Sequence, residues 1–221
     1  MNKENIALLA ITGSKAYGLD HAASDTDKMG IFIADTIDVA GLNWSQSDES
    51  WSDAGPTGDD TTLHEMGKFL KLVLKCNPTL IELLWMNEYE ILDNWGKDLV
   101  DRRDAIVYTK GIRNHYHGYA YSQLARVRAD YPNHKPKMAR HTLRIARQGA
   151  ELLKTGTFDV KVPDPEEYFA LDNLSFDELD EKISRAVTHV QLCDSVLPDA
   201  PDRDIIAEYL EDVRIFNIGP R

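Results

Sequence analysis

Two carboxylates, Asp25 and Asp27, stand two residues apart in the run Ser24-Asp25-Thr26-Asp27-Lys28. In extended chain the side chains alternate, so this spacing puts both on one face. Like charges that close repel, and a divalent cation resolves the conflict. Oxygen-only ligands favour Mg²⁺ or Mn²⁺; Mg²⁺ takes one or two carboxylates and completes its shell with water and substrate phosphate. A third carboxylate, Asp60, opens the run Asp60-Thr61-Thr62-Leu63 and can lie beside the pair if that run is a neighbouring strand. Ahead of the pair comes Gly13-Ser14-Lys15-Ala16-Tyr17-Gly18. Glycine lets a phosphate approach the backbone, a helix start offers free N–H groups, and Ser14 and Lys15 add donors. This is neither a P-loop, which ends in Gly-Lys-Ser/Thr, nor a Gly-x-Gly-x-x-Gly dinucleotide turn. Each feature alone is commonplace, since Gly-Ser ends many strands and Asp-x-Asp is usually a solvated turn. Their order along one chain is what points to phosphate chemistry.

The elements that must hold these residues are legible as periodicity. Residues 6–11 are almost wholly apolar, as in a strand buried on both faces, and Gly13-Ser14 ends it. Residues 28–34 predict a second strand, and residues 42–58, rich in Ser, Asp, Gly and Trp, predict a long surface loop. Residues 60–63 predict a short third strand, while Thr62-Leu63-His64-Glu65 fits a capping box with Thr62 as the cap. Met66, Phe69, Leu70, Val73 and Leu74 recur at helical spacing, and Asn77-Pro78 stops that helix and starts another bearing Ile81, Leu84 and Trp85. Residues 115–130, 137–153 and 176–197 read as helices, separated by breaks at Pro132, Pro136, Gly156, Pro163 and Pro165, and residues 199–214 as a last one. A boundary near Asp104 divides an α/β first half from a helical second half.

Lys137, His141 and Arg144 share one helical face, either across a cleft from the carboxylates or as a solvated stripe. Tyr17 stacks on a base or packs with its hydroxyl free. His64 is a candidate to support Asp60, and the four tryptophans, Trp44, Trp51, Trp85 and Trp95, are core or loop anchors. His115 and His117 diverge on a helix and make a poor zinc pair.

Charge narrows the function. The 25 Lys and Arg against 37 Asp and Glu give a net charge of −12, which disfavours extended, sequence-blind binding to a nucleic-acid backbone. The total conceals an alternation. Residues 1–96 carry 6 basic and 16 acidic side chains, residues 97–154 carry 13 and 5, and residues 155–221 carry 6 and 16. Any track for a polyanion must therefore come from the middle segment. No apolar run reaches membrane-span length, Met1-Asn2-Lys3-Glu4 does not resemble a signal peptide, and Cys76 and Cys193 lack ligand or disulfide spacing. A cytoplasmic protein with two reduced thiols is the expectation.

Strand, Gly-Ser, a short gap, Ser-Asp-x-Asp at the head of a strand and a third Asp on a later strand together resemble the nucleotidyltransferases of the DNA polymerase beta superfamily. Within it, Gly13 to Gly18 with Ser24 to Asp27 resembles the predicted nucleotidyltransferase branch that includes RNA-ligase-associated members. So do Asp60, Thr62, Glu65, Lys68, Phe69 and Leu70, the following Asn77-Pro78 and Ile81-Glu82-Leu83-Leu84-Trp85, then Lys137, His141 and Arg144, and Glu151-Leu152-Leu153 with Thr155-Gly156 and Val162-Pro163. The resemblance implies an α+β fold: a small mixed β-sheet catalytic domain over residues 1–104 and a helical C-terminal domain, 105–221, closing the nucleotide cleft. It implies an NTP substrate and two Mg²⁺ or Mn²⁺ ions. Asp25 and Asp27 would bind the metal on the triphosphate and Asp60 would help at the acceptor hydroxyl, with Gly13 and Ser14 on the departing phosphates. Lys15 stands where the branch favours Arg, so a point charge replaces a bidentate fork. An RNA end is the favoured acceptor; a cationic small molecule, a protein hydroxyl, or a catalytically silent nucleotide-binding role are the alternatives.

Overall fold

A computed structural model describes residues 5–54, 59–133 and 136–219. Strand β1 (Ile6–Thr12) runs directly into the short helix α1 (Gly13–Tyr17), and β2 (Asp27–Phe32) returns antiparallel to β1. Helix α2 (Thr36–Val39), β3 (Ser50–Ala54) and β4 (Asp60–Glu65) follow. Helices α3 (Met66–Val73) and α4 (Pro78–Ile81) lead to the two-residue strand β5 (Ile91–Leu92) and α5 (Asn94–Asp101). The strand order is β3-β4-β2-β1-β5; β2 and β4 pair in parallel and the other neighbours antiparallel, so the sheet is mixed. The remainder is helical. Helix α6 (Thr109–Ile112) passes through a π-helical turn (Arg113–His117) into α7 (Gly118–Asp130), followed by α8 (Pro136–Thr155), α9 (Pro165–Phe169), α10 (Phe176–Leu192) and α11 (Arg203–Phe216). The fold is α+β.

Apolar periodicity explains most of these elements. In β1, Ala7, Leu8 and Ala10 face the main core, while Leu9 packs with Phe32 and Leu63 on the other side of the sheet. Asn77 caps α4 by accepting from the Thr79 N–H at 3.1 Å, and Pro78 takes the first helical position, where no N–H is needed. The main core joins both halves of the chain, from Ala7 to Val213. Helix α11 folds back on the first half: Tyr209 meets the Trp95 ring, and Arg214 reaches Glu65 at 2.7 Å.

Four expectations change. Part of the expected 42–58 loop, Ser50–Ala54, forms an edge strand on β4; residues 55–58 lie outside the described residues, as do residues 1–4. Trp51 is its only large apolar side chain, so hydrophobicity could not reveal the strand, yet pairing it covers what would be an open edge of β4. Thr62 is not a cap. It lies within β4, paired on both sides, and Glu65 caps α3 instead by accepting from the Gly67 N–H at 2.7 Å. Two ladders outweigh one capping bond. Helix α10 stops at Leu192 rather than 197, and α11 begins at Arg203, capped by Asp202 at 3.2 Å, rather than near 199.

Candidate active site

Strand register gathers the carboxylates. Thr12 pairs with Asp27 across the antiparallel β1–β2 ladder, so the Gly13-Ser14 turn emerges at the head of β2. Lys28 pairs with Thr61 in the parallel β2–β4 ladder, and one step back along the same register Asp27 falls beside Asp60. Gly13 has φ +69°, and its backbone lies so near Asp27 that an added Cβ would sit 2.5 Å from Oδ2. Asp25 lies in the turn before β2 rather than on the strand. That turn is tied down locally: the Thr26 N–H donates to Asp59 Oδ1 at 2.6 Å and the His21 N–H to Ser24 Oγ at 3.0 Å.

These residues line a cleft of about 510 Å³. Asp25, Asp27, Asp60, Gly13, Ser14 and Tyr17 form one wall, and Lys137, Arg140, His141 and Arg144 of α8 form the other. Every expected site residue except Lys15 is in that lining; Lys15 donates to Thr26 Oγ1, between Asp25 and Asp27 in the chain. Arg140 was missed, although it lies on the same helical face as its neighbours. It pairs with Asp172 at 2.5 Å at the cleft's edge. His64 bonds Ser50 Oγ at 2.9 Å and is not in the lining.

The α8 stripe reaches three depths. Lys137 is exposed, His141 is partly buried, and Arg144 is wholly buried. Arg144 Nη1 donates to Glu82 Oε2 at 2.8 Å and to Gln148 Oε1 at 2.6 Å, and its guanidinium lies 3.5 Å from the centre of the Tyr17 ring. The Tyr17 hydroxyl is not free: it donates to the other Glu82 oxygen at 2.6 Å. With one ring face under Arg144, that face is closed to a base. Burial, then the Glu82 carboxylate, hold the Tyr17 hydroxyl well above its ordinary pKa. Burial opposes the charge on Arg144, but Glu82 and Tyr17 outweigh it and its pKa is raised. Burial, with Arg144 and Lys137 adding to it, pushes His141 down to about 4, so the ring is neutral at pH 7. Its Nδ1 meets Arg144 Nη2 at 3.2 Å and its Nε2 the Tyr119 hydroxyl at 3.0 Å; with Arg144 donating, Nε2 carries the proton. Glu82 is the other residue sequence reasoning passed over as a site residue. The signal was a single charge inside the apolar run Leu80-Ile81-Glu82-Leu83-Leu84-Trp85, since such a residue is buried only with a partner.

The donor chemistry fits a hard divalent cation. Among the described residues, no Lys or Arg pairs with the Asp25, Asp27 or Asp60 carboxylates, and no three acidic, imidazole or thiol side chains lie close enough together to hold a metal ion, so the three carboxylates share one cleft without forming a preassembled metal centre. An open oxygen set suits an ion that keeps water and phosphate in its shell.

A small mixed sheet with Gly-Ser after its first strand, and carboxylates at the heads of two parallel neighbours, is the framework of a polymerase-beta-type nucleotidyltransferase. The chain belongs to the RNA repair pathway DNA polymerase beta family (RlaP), whose model matches residues 1–193. Among solved structures it is similar to a nucleotidyltransferase-like protein from Exiguobacterium sibiricum 255-15, with 13% identity, 99% of this chain and 77% of that chain covered, and a TM-score of 0.30. No curated protein matches it. Among the described residues, no helix is long and apolar enough to cross a membrane.

Proposed function

We propose that the protein transfers a nucleoside monophosphate from an NTP to an acceptor hydroxyl, with an RNA end as the favoured acceptor, and releases pyrophosphate. The observation carrying this reading is the single cleft in which Asp25, Asp27 and Asp60 face Lys137 and Arg140, beside the Gly13-Ser14 turn. Residues 1–104 act as the catalytic part and 105–221 as the helical part that closes over the nucleotide. Asp25, Asp27 and Asp60 would hold Mg²⁺ or Mn²⁺, which supplies charge neutralisation at the attacking and leaving oxygens. The backbone at Gly13 and the Ser14 hydroxyl orient the β- and γ-phosphates, and Lys137 attracts the triphosphate at the rim. The acceptor hydroxyl gives its proton to water as its oxygen bonds the α-phosphorus, and the bond to the bridging oxygen breaks so that pyrophosphate leaves.

An RNA acceptor is supported by the family's description and by the basic surplus of residues 97–154, the segment that includes the exposed Lys137. The test uses each α-labelled NTP with Mg²⁺ or Mn²⁺ and RNA oligonucleotides of defined ends. Label should move to RNA, and should be lost with a chelator and in Asp25→Ala and Asp27→Ala. Transfer that persists in both variants rules the assignment out.

A further inference from the structure

Glu82, which none of the chemistry above requires, sits at the centre of a closed circuit of hydrogen bonds under the cleft. One carboxylate oxygen accepts from Tyr17 on α1 and the other from Arg144 on α8. Arg144 continues to Gln148, whose side-chain nitrogen donates to the Asp159 and Val160 carbonyls at 3.2 Å. That segment returns to its start, because the Val162 N–H donates to the Tyr17 carbonyl at 3.0 Å. The circuit thus ties the helix that begins with Gly13-Ser14 to the helix that carries Lys137, Arg140 and His141, and Glu82 is the joint between the two walls.

Stability is a poor explanation for this arrangement. Glu82 is 1% exposed and Arg144 0%, and a pair that deep contributes little net stability, because desolvating both charges consumes most of their attraction. Arg144 Nε is also buried without a partner. Such a pair does specify geometry, since each group accepts only a narrow range of positions for the other. We propose that Glu82 is a positioning residue. It fixes the separation of the Gly13-Ser14 turn from α8 and neutralises Arg144, leaving the exposed Lys137 as the cation that meets the triphosphate.

This inference rests on the nucleotidyl-transfer reading, so the experiment separates the two. Pyrophosphate release is measured against NTP concentration for the wild type, Glu82→Gln, Tyr17→Phe and the double variant Glu82→Gln/Arg144→Met, alongside thermal midpoints. Glu82→Gln should raise KM for the NTP about tenfold or more, with kcat within about threefold, because it disturbs where the triphosphate binds and not the reacting atoms. The double variant removes both buried charges. It should recover the thermal midpoint while KM stays raised, a split that a purely structural role would not produce. Tyr17→Phe leaves the ion pair intact and should raise KM about threefold, which keeps the proposal testable if Glu82→Gln fails to fold. An unchanged KM in Tyr17→Phe and Glu82→Gln, or a KM that returns to the wild-type value together with the midpoint, overturns the role of Glu82 alone. A wild type that releases no pyrophosphate from any NTP overturns the proposed function, and this inference with it.

Discussion

Gly13 and Asp27 are in direct contact across the β1–β2 ladder: a Cβ at Gly13 would lie 2.5 Å from Asp27 Oδ2, and the glycine holds φ at +69°. The tight turn and the carboxylate are therefore one unit. Any side chain at position 13 must displace the carboxylate and also adopt a left-handed backbone, which disfavours L-residues by about 1–2 kcal/mol. Gly13→Ala should lower transferase activity at least about tenfold and stability by about 1–2 kcal/mol, read by pyrophosphate release and urea denaturation. Wild-type activity in a folded Gly13→Ala protein would disprove the unit.

Replacing Asp25 or Asp27 by Asn should separate activity from stability. On the proposed function each variant should lose about a hundredfold or more in kcat, because a proposed ligand to the divalent ion disappears. Neither should be less stable than the wild type in metal-free buffer, and each should gain up to about 0.5 kcal/mol as like charge is relieved. Thermal scans with and without Mg²⁺ check this, and a marked destabilisation without metal would argue for a structural role.

His141 makes stability pH-dependent in a definite direction. Its pKa in the folded chain, about 4, lies below the unfolded value near 6.5, so the unfolded state takes up a proton first as pH falls. Its contribution is complete above pH 6.5, declines between 6.5 and 4, and is lost below 4, a total of about 3 kcal/mol. Urea midpoints of wild type and His141→Gln at pH 7 and pH 4.5 test this. The wild type should fall more steeply, and equal slopes would sink the assignment.

Arg214 on α11 secures the end of β4. Glu65 is 3% exposed; one of its oxygens accepts from Arg214 at 2.7 Å and the other from the Gly67 N–H. Arg214→Met leaves a buried carboxylate with only its capping bond and should cost about 2 kcal/mol, below the range for a fully buried pair because Arg214 is 18% exposed. For a chain of this length that is a drop of about 5 °C in thermal midpoint. Adding Glu65→Gln should restore part of the loss, since a neutral amide is cheaper to bury; no recovery would mean that packing, not charge, holds α11 in place.

Much of the site was legible because it depends on short-range order. Apolar residues 6–11 make a strand, Gly13-Ser14 ends it, and Asp27 and Asp60 each open a short strand where the sequence places one. Helix α8 showed its face through the spacing of Lys137, His141 and Arg144, and Asn77-Pro78 carried a helix start in two residues. Strand β3 escaped because its reason for existing is the open edge of β4, not its own composition.

Residue types and their spacing thus carried most of the elements, their order and the presence of three carboxylates near a Gly-Ser turn, since each depends on a few neighbouring residues. Depth and partnership did not follow from spacing. Lys137, His141 and Arg144 look alike on a helical wheel, yet one is solvated, one is a neutral ring and one is paired with Glu82, 62 residues away. Tyr17 finds its partner 65 residues away, and Arg214 finds Glu65 across 149. Such pairs form only when the sheet and helices have packed, because a buried charge is tolerated only where packing delivers its counter-charge.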